Sequence, residues 1–493
     1  MLRTRYGARP GGAVDFATDP GDDDAEPALR SRGARLAAAL FVLLVTASCV
    51  RPITGPGSPN LVGIDVTQVG YRQSEFFLYG LADAYRPVAP LTSDGKWQVE
   101  RDPDNSGVGF QTRMVVHRPA NPARFNGTVV IEWMNVTAGT DLPNEWTSAH
   151  NELVRAGAVW IGLSAQAVGV NYLKSCCSAR YSQLNHPGDS YSYDIFSWAA
   201  RVVRGDNDLL GGLTAQRVIG TGESQSASRL VTYVNAVHPL VGVYDGFLLH
   251  SRGSSGAPLS QSPLPLVTTP SPSLIRDDLD EPVIVVQAED DVIRSGLATR
   301  QPDTPTFRLW EMAGTAHADQ YMVGVGFTDV GDGAGAVRML ELLLDPGAPA
   351  GGCAKPSNAG PTHWILQAAF HHLDRWVRDG TPPPSADRLE VASSPPVVLA
   401  RDADGNALGG VRSPHVEVPI ATADGLNSGT GFCGLFGSTT PFTPERLAEL
   451  YPTNQDFVDA WGAAIVALVG DGFLLPADGW ELYLAALALP VPA

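Results

Sequence analysis

A serine between small residues, then a cluster of carboxylates, then a histidine, each directly after an apolar run, are the parts of a nucleophilic relay. The serine lies in Gly222-Glu223-Ser224-Gln225-Ser226, between the apolar run Arg217–Gly220 and a helical pattern from Ala227 to Val234. A serine at such a strand-to-helix turn has the form of a nucleophile elbow. The turn strains the serine backbone and brings strand and helix close together, so only small residues fit two places before and after it. Gly222 and Ser226 meet that demand, although glycine is commoner at the second place. The competing reading is an ordinary helix N-cap by Ser224 or Ser226.

A serine nucleophile needs a base, and the base needs an orienting acid. In a parallel-sheet hydrolase these follow later strands in the order Ser, Asp/Glu, His. After the run Pro282–Gln287 comes Glu289-Asp290-Asp291, and after Phe307–Glu311 comes Gly314-Thr315-Ala316-His317. Of the ten histidines, His317 alone follows a core strand after the acid loop. Asp291, four residues past its strand, is the preferred acid; Glu289, with the longer side chain, is the reserve, and Asp290 competes with both. The oxyanion hole needs two backbone N–H groups. One is expected from Gln225, and the other from Asn135 or Val136, in the loop after Thr128–Trp133.

These groups need a scaffold that fixes strand ends. Apolar runs at Thr128–Trp133, Ala158–Leu163, Arg217–Gly220, Tyr244–Leu249, Pro282–Gln287 and Phe307–Glu311 alternate with helical patterns. Those patterns cover Glu145–Ala156, Tyr191–Arg204, Ser226–Val237 and Thr362–Arg378. Continuous apolar strands separated by amphipathic helices indicate an α/β fold, a mostly parallel sheet covered on both faces. Pieces such as Phe76–Gly80 and Met114–His117 read as an antiparallel start of that sheet. The Pro- and Ser-rich segment 250–280 reads either as a lid or pocket wall or as an exposed connection. His186–Asp194 reads chiefly as capping and packing, with pocket lining as the alternative. After residue 380 the pattern loosens over Leu389–Phe442, then turns helical at Pro444–Tyr451, Gln455–Val469 and Ala477–Leu489.

The 493 residues carry a formal net charge of −18, which disfavours a nucleic-acid partner. No glycine pattern for a dinucleotide or P-loop stands out, and no HExxH or paired CxxC motif argues for a metal; no cofactor is expected. Residues 1–29 are polar. A basic patch, Arg30–Arg35, and the apolar run Leu36–Val45 then form a secretory signal too short to span a bilayer comfortably. Thr46-Ala47-Ser48-Cys49 resembles a lipoprotein box, in which Cys49 would be lipidated and hold the protein at a membrane; ordinary secretion is the second reading and a retained N-terminal anchor the third. Segment 50–60, with Pro52, Pro56 and Pro59, reads as a tether, leaving 61–493 as one domain with 380–493 as its extension. Cys353 and Cys433 lie in glycine-rich loops and could pair in an exported protein.

Taken together the motifs resemble a family of bacterial alpha/beta hydrolase domain-containing proteins across most of residues 60–490. The matches are Val130–Val136, Gly169-Val170, His186–Asp194, Gly222–Ala227, Gly314–Asp319, Gly409–Pro414 and Asp471–Pro476. The resemblance implies an α/β-hydrolase fold with a Ser–acid–His triad and names no substrate. The reading that follows is an exported serine hydrolase acting on a small-molecule carboxylic ester through Ser224, Asp291 and His317. Its rival is a surface lipoprotein that keeps the fold and only binds a ligand or partner.

Overall fold

The strand at Thr128–Trp133 sets the architecture. It is buried along its whole length, and its side chains alternate between two hydrophobic layers. Val130 joins one layer, with Trp146, Leu153, Trp364 and Leu373. Val129 and Ile131 join the other, with Phe196, Leu230 and Val231. A strand apolar on both faces has to be covered on both, and helices do this on each side.

The computed structural model describes residues 49–491 apart from Asn207, and these form one compact unit. Its main strands are β1 (Val50–Pro52), β2 (Tyr71–Ala82), β5 (Val108–Pro119), β6 (Thr128–Trp133), β7 (Val159–Leu163), β8 (Arg217–Glu223), β9 (Gly246–His250), β10 (Val283–Gln287) and β11 (Phe307–Glu311). Two short strands, β3 (Tyr85–Pro87) and β4 (Val99–Arg101), pair on their own. The nine main strands make one sheet in the order β1-β2-β5-β7-β6-β8-β9-β10-β11. From β7 to β11 every pairing is parallel, while β1, β2 and β5 form the antiparallel end. The chain winds from β6 outward to β7 and then returns to the far side of β6 with β8. Crevices at such reversals, outside the carboxyl ends of the strands, are where open α/β sheets bind ligands.

Beyond the sheet, Thr362–Asp379 packs against the helix Asn144–Ala156. The terminal helices Pro444–Leu450, Asn454–Asp471 and Pro476–Ala488 stand close to their expected bounds. Thr453 and Asp456 form a capping box at the start of the second, and Gly472 ends it in a left-handed turn. Phe457 and Trp461 from this helix enter the same core as Trp310 and Trp364. The loose stretch before them contains two small hairpins, β12 (Val391–Ser393) with β13 (Val398–Leu399) and β14 (Ala421–Asp424) with β15 (Ser438–Pro441).

Two expectations are corrected. The segment read as a tether at 50–60 is docked. β1 pairs with β2, Ile53 is buried, and its N–H donates to the Glu75 carbonyl. Arg180 donates to the carbonyls of Ile53, Gly55 and Gly57. Prolines suit such an edge, where a missing N–H costs nothing. Segment 250–280 is not a freely exposed connection: buried residues anchor it, although its middle, at Leu266, is exposed. Leu259 and Ile275 are buried, and buried Arg252 ties the segment together by donating to the Ser273 carbonyl. The leader, its signal segment and Thr46–Ser48 lie outside the described residues. Among the described residues no helix is long and apolar enough to cross a membrane.

Candidate active site

β8 ends in the Gly222–Ser226 turn, and Ser224 sits there at φ 59° and ψ −115°. A non-glycine residue at positive φ is sterically costly and persists only where its surroundings enforce it. Here the Ser224 N–H donates to the His250 carbonyl on β9, and the helix Gln225–Thr232 begins at once. A Cβ placed on Gly222 would stand 2.9 Å from Ser226 Cβ, too close for two carbons, so glycine is required at that place.

The three expected side chains converge. His317 Nε2 lies 2.8 Å from Ser224 Oγ, and His317 Nδ1 lies 2.6 Å from Asp291 Oδ1. Asp291 is fixed in turn, because its other oxygen accepts the Ala288 N–H. His317 is held from behind by its own N–H, which donates to Asp290 Oδ1. Hydroxyl, imidazole and carboxylate thus form a continuous line along which a proton can leave the serine.

The reserve acid does something else. Glu289 Oε1 accepts the Gly314 N–H, and Oε2 accepts from Arg401 and from the Gly425 N–H. It fastens the loop that carries His317 and never reaches the ring. Asn135 is also corrected. Its N–H donates to the Leu142 carbonyl, so it has no N–H to offer an oxyanion. The Val136 N–H donates to no atom among the described residues. Gln225 opens its helix, so its N–H is among those a helix leaves unpartnered.

Sequence reasoning missed a second carboxylate on the ring. Glu223 Oε1 lies 3.1 Å from His317 Nε2, while its Oε2 accepts from the side-chain amides of Asn135 and Asn144. Its place next to the nucleophile was the only signal in the chain. Burial alone would pull the His317 pKa down; Asp291, Glu223 and Asp290 outweigh it and raise it to about 10. Burial pushes Asp291 up, but the facing imidazolium holds it below the usual carboxylate range. Burial raises Glu223. The ring therefore takes up a serine proton most readily on the alkaline side of neutral.

Behind the site, Glu132 on β6 accepts the N–H groups of Glu145 and Trp146 and the Trp160 indole N–H. A carboxylate there satisfies the first turn of the Asn144–Ala156 helix. Asp290, Asp291 and His317 are close enough to converge on a cation, but Asp291 and His317 are engaged with each other, with the Ala288 N–H and with Ser224, and Asp290 Oδ2 faces the Arg294 guanidinium at 3.6 Å. His186–Asp194 lies away from the cavity; Asp189 accepts from Ala167, Gln166, Arg229 and Gln261 and knits helices together. Trp133 and Trp146 are core residues.

Ser224 and His317 open into a cavity of about 240 Å³. Asn135, Thr137, Asn144 and Glu223 supply its polar lining, and the remainder is almost wholly apolar.

This fold, with a serine, an acid and a histidine at the ends of β8, β10 and β11, defines an α/β-hydrolase. The chain belongs to the alpha/beta hydrolase domain family, whose model matches residues 44–483. No curated protein sequence matches it. Among solved structures it is similar to the rice cell wall degrading esterase LipA from Xanthomonas oryzae, at 15% identity and a TM-score of 0.24. That match covers 37% of this chain and 43% of the esterase, so the chain spans less than half the length of that relative. It is also similar to an a/b serine hydrolase without lid from Xanthomonas campestris. There the identity is 15% and the TM-score 0.27, with 47% of this chain and 88% of that one covered. A putative dienelactone hydrolase from Klebsiella pneumoniae matches at 13% identity and a TM-score of 0.27, covering 54% and 97%. At this level of similarity none of the three speaks to substrate.

Proposed function

We propose that the protein is a serine hydrolase of small-molecule carboxylic esters, working through an acyl-enzyme. The observation that carries the reading is the hydrogen-bonded line Ser224–His317–Asp291, with the serine held in the strained turn and facing a cavity. Ser224 Oγ attacks the ester carbonyl as its proton passes to His317 Nε2. The oxyanion that forms is received by the N–H groups of Gln225 and Val136. His317 then gives the proton to the departing alkoxide, and the acyl group remains on Ser224. Water, deprotonated by the same ring, attacks the acyl-enzyme; the bond to Ser224 Oγ breaks, the ring returns its proton to that oxygen, and the acid is released. Asp291 fixes the ring tautomer and stabilises the imidazolium. A rapid-quench mass spectrum with a p-nitrophenyl ester should show one acyl group on Ser224, and Ser224→Ala should abolish both adduct and turnover. Unchanged turnover in that variant would overturn the reading.

We also propose that the protein is exported and lipidated at Cys49. The basic and apolar leader supports this, and so does the disulfide Cys353–Cys433, a bond that persists in oxidising compartments. The Cys49 carbonyl accepts the Tyr79 N–H and the next residue opens β1, so a lipid there would hold the sheet edge against the membrane with no spacer. Metabolic labelling with a fatty acid should mark the parent and not Cys49→Ser; equal labelling of both would contradict it.

A further inference from the structure

One wall of the cavity comes from the C-terminal extension, which the chemistry above does not use. β14 and β15 pair up to Asp424 and Ser438, and the chain between them leaves as a loop, 425–437. Phe432, Leu435 and Phe436 of this loop line the cavity in front of Ser224. The loop is fastened at many points, among them the bonds from Ala354 to the Ser428 carbonyl and from Arg294 to the Gly434 carbonyl. Cys433 is bonded to Cys353, 80 residues away. The Leu435 carbonyl accepts the N–H of Ala318, the residue after His317, at 3.0 Å. The Phe436 carbonyl accepts the Asn358 N–H at 2.8 Å, and Gly425 donates to Glu289.

Two further observations give this wall a purpose. It stands on the histidine side of the site: Ala318, Met322 and Val323, which follow His317 in the chain, line the same cavity. The ring that protonates the leaving oxygen must face the group attached to that oxygen. The mouth is also apolar where it meets solvent. Phe432 is 48% exposed, Val62 46% and Val323 43%, three large apolar side chains at one opening. Scattered singly such residues need no explanation, but gathered at one opening beside a nucleophile they mark a binding site.

We propose that loop 425–437 forms the leaving-group pocket, that the site prefers esters of short, uncharged, apolar alcohols, and that the Cys353–Cys433 disulfide holds the pocket in shape. This rests on the reading of Ser224 as the nucleophile. The cavity, about 240 Å³, is smaller than the ~300–1,000 Å³ of sites for drug-sized ligands, so the alcohol is a short chain or a single ring. Glu223 at the inner end disfavours a negatively charged alcohol.

The test compares two ester series on the full chain. One holds the acyl group at acetyl and lengthens the alcohol from methyl to butyl and benzyl. The other holds the alcohol at ethyl and lengthens the acyl group from acetyl to hexanoyl. The expected result is a kcat/KM that rises about fourfold per buried methylene in the alcohol series and less steeply in the acyl series. In Cys353→Ser/Cys433→Ser, and independently in Phe432→Ala, the butyl-to-methyl ratio should fall at least fivefold. Phe432 is half exposed, so that variant is expected to fold even if the cysteine variant does not. A flat alcohol series, a steeper acyl series or an unchanged ratio in Phe432→Ala would overturn the inference, provided a fluorophosphonate still labels Ser224. Loss of that label in the parent would sink the ester-hydrolase reading itself, and this inference with it.

Discussion

Replacing Glu223 with glutamine should move the pH profile of the enzyme toward acid. The substitution keeps shape and removes one charge, 3.1 Å from His317 Nε2. Two unit charges at that distance interact by about 5 kcal/mol at an effective dielectric of ~20. Burial of Glu223 offsets part of this, while its two amide partners favour the charged carboxylate. Opposite charges this close shift a pKa by ~1–3 units, or roughly 1.4–4 kcal/mol. The carboxylate favours the imidazolium, so removing it lowers the His317 pKa. His317 acts as a base only when neutral, so the acid limb of kcat/KM must fall with it. The assay is kcat/KM for an uncharged ester between pH 5 and 10. The parent should lose activity below an apparent pKa on the alkaline side of neutral. Glu223→Gln should move that limb down by at least one unit while Ser224 still labels. An acid limb that stays in place would refute the argument that Glu223 charges the ring.

Other consequences are more quickly stated. Asp291→Asn should leave the fold intact and lower kcat by about 10⁴, because the amide can donate to Nδ1 and stabilise the wrong tautomer; a loss under tenfold would move the orienting role elsewhere. Gly222→Val should cost several kcal/mol or prevent folding, since even a Cβ stands 2.9 Å from Ser226 Cβ; a wild-type denaturation midpoint would contradict the steric account of the elbow. Stability should fall as pH rises from 7 to 8. Burial raises Glu132 to about 8, and the carboxylates around His317 outweigh its burial and raise it to about 10, so the folded state holds protons that the unfolded chain has lost in this window. With two such protons the slope is at most about −2.7 kcal/mol per pH unit; urea midpoints that stay level or rise over this window would be inconsistent with it.

The parallel strands were legible because each is an unbroken apolar run, the mark of burial on both faces. β2 and β5 were visible only in part: each runs for 12 residues, and Arg72, Gln73, Gln111 and Arg113 interrupt their apolar character. Arg113 is wholly buried and lies against Glu75 and Asp141, pairings that no local pattern announces. Ser224, Asp291 and His317 could be selected because an open sheet gathers its chemistry at strand ends and chain order restricts the choice. The oxyanion donor could not be narrowed, because it depends on which loop N–H is already taken, and the closure of the loop by the bridge from Asn135 to Leu142 leaves no periodic signal. Glu223 was hidden for a similar reason: its contact with His317 is set by the end of β8 and the loop after β11 converging at the carboxyl edge of the sheet, across two intervening strands. The cavity wall at 425–437 gave no periodic signal at all, and Cys433 was its only visible landmark. The stretch at 50–60 misled because prolines read as linker, whereas an edge strand accepts them.

The most direct test of the central claim is labelling the folded protein with a fluorophosphonate and identifying the modified peptide by mass spectrometry. The account predicts a single adduct on Ser224, lost in His317→Ala and slowed in Asp291→Asn. An adduct on another serine, or labelling of Ser224 that persists without His317, would contradict it.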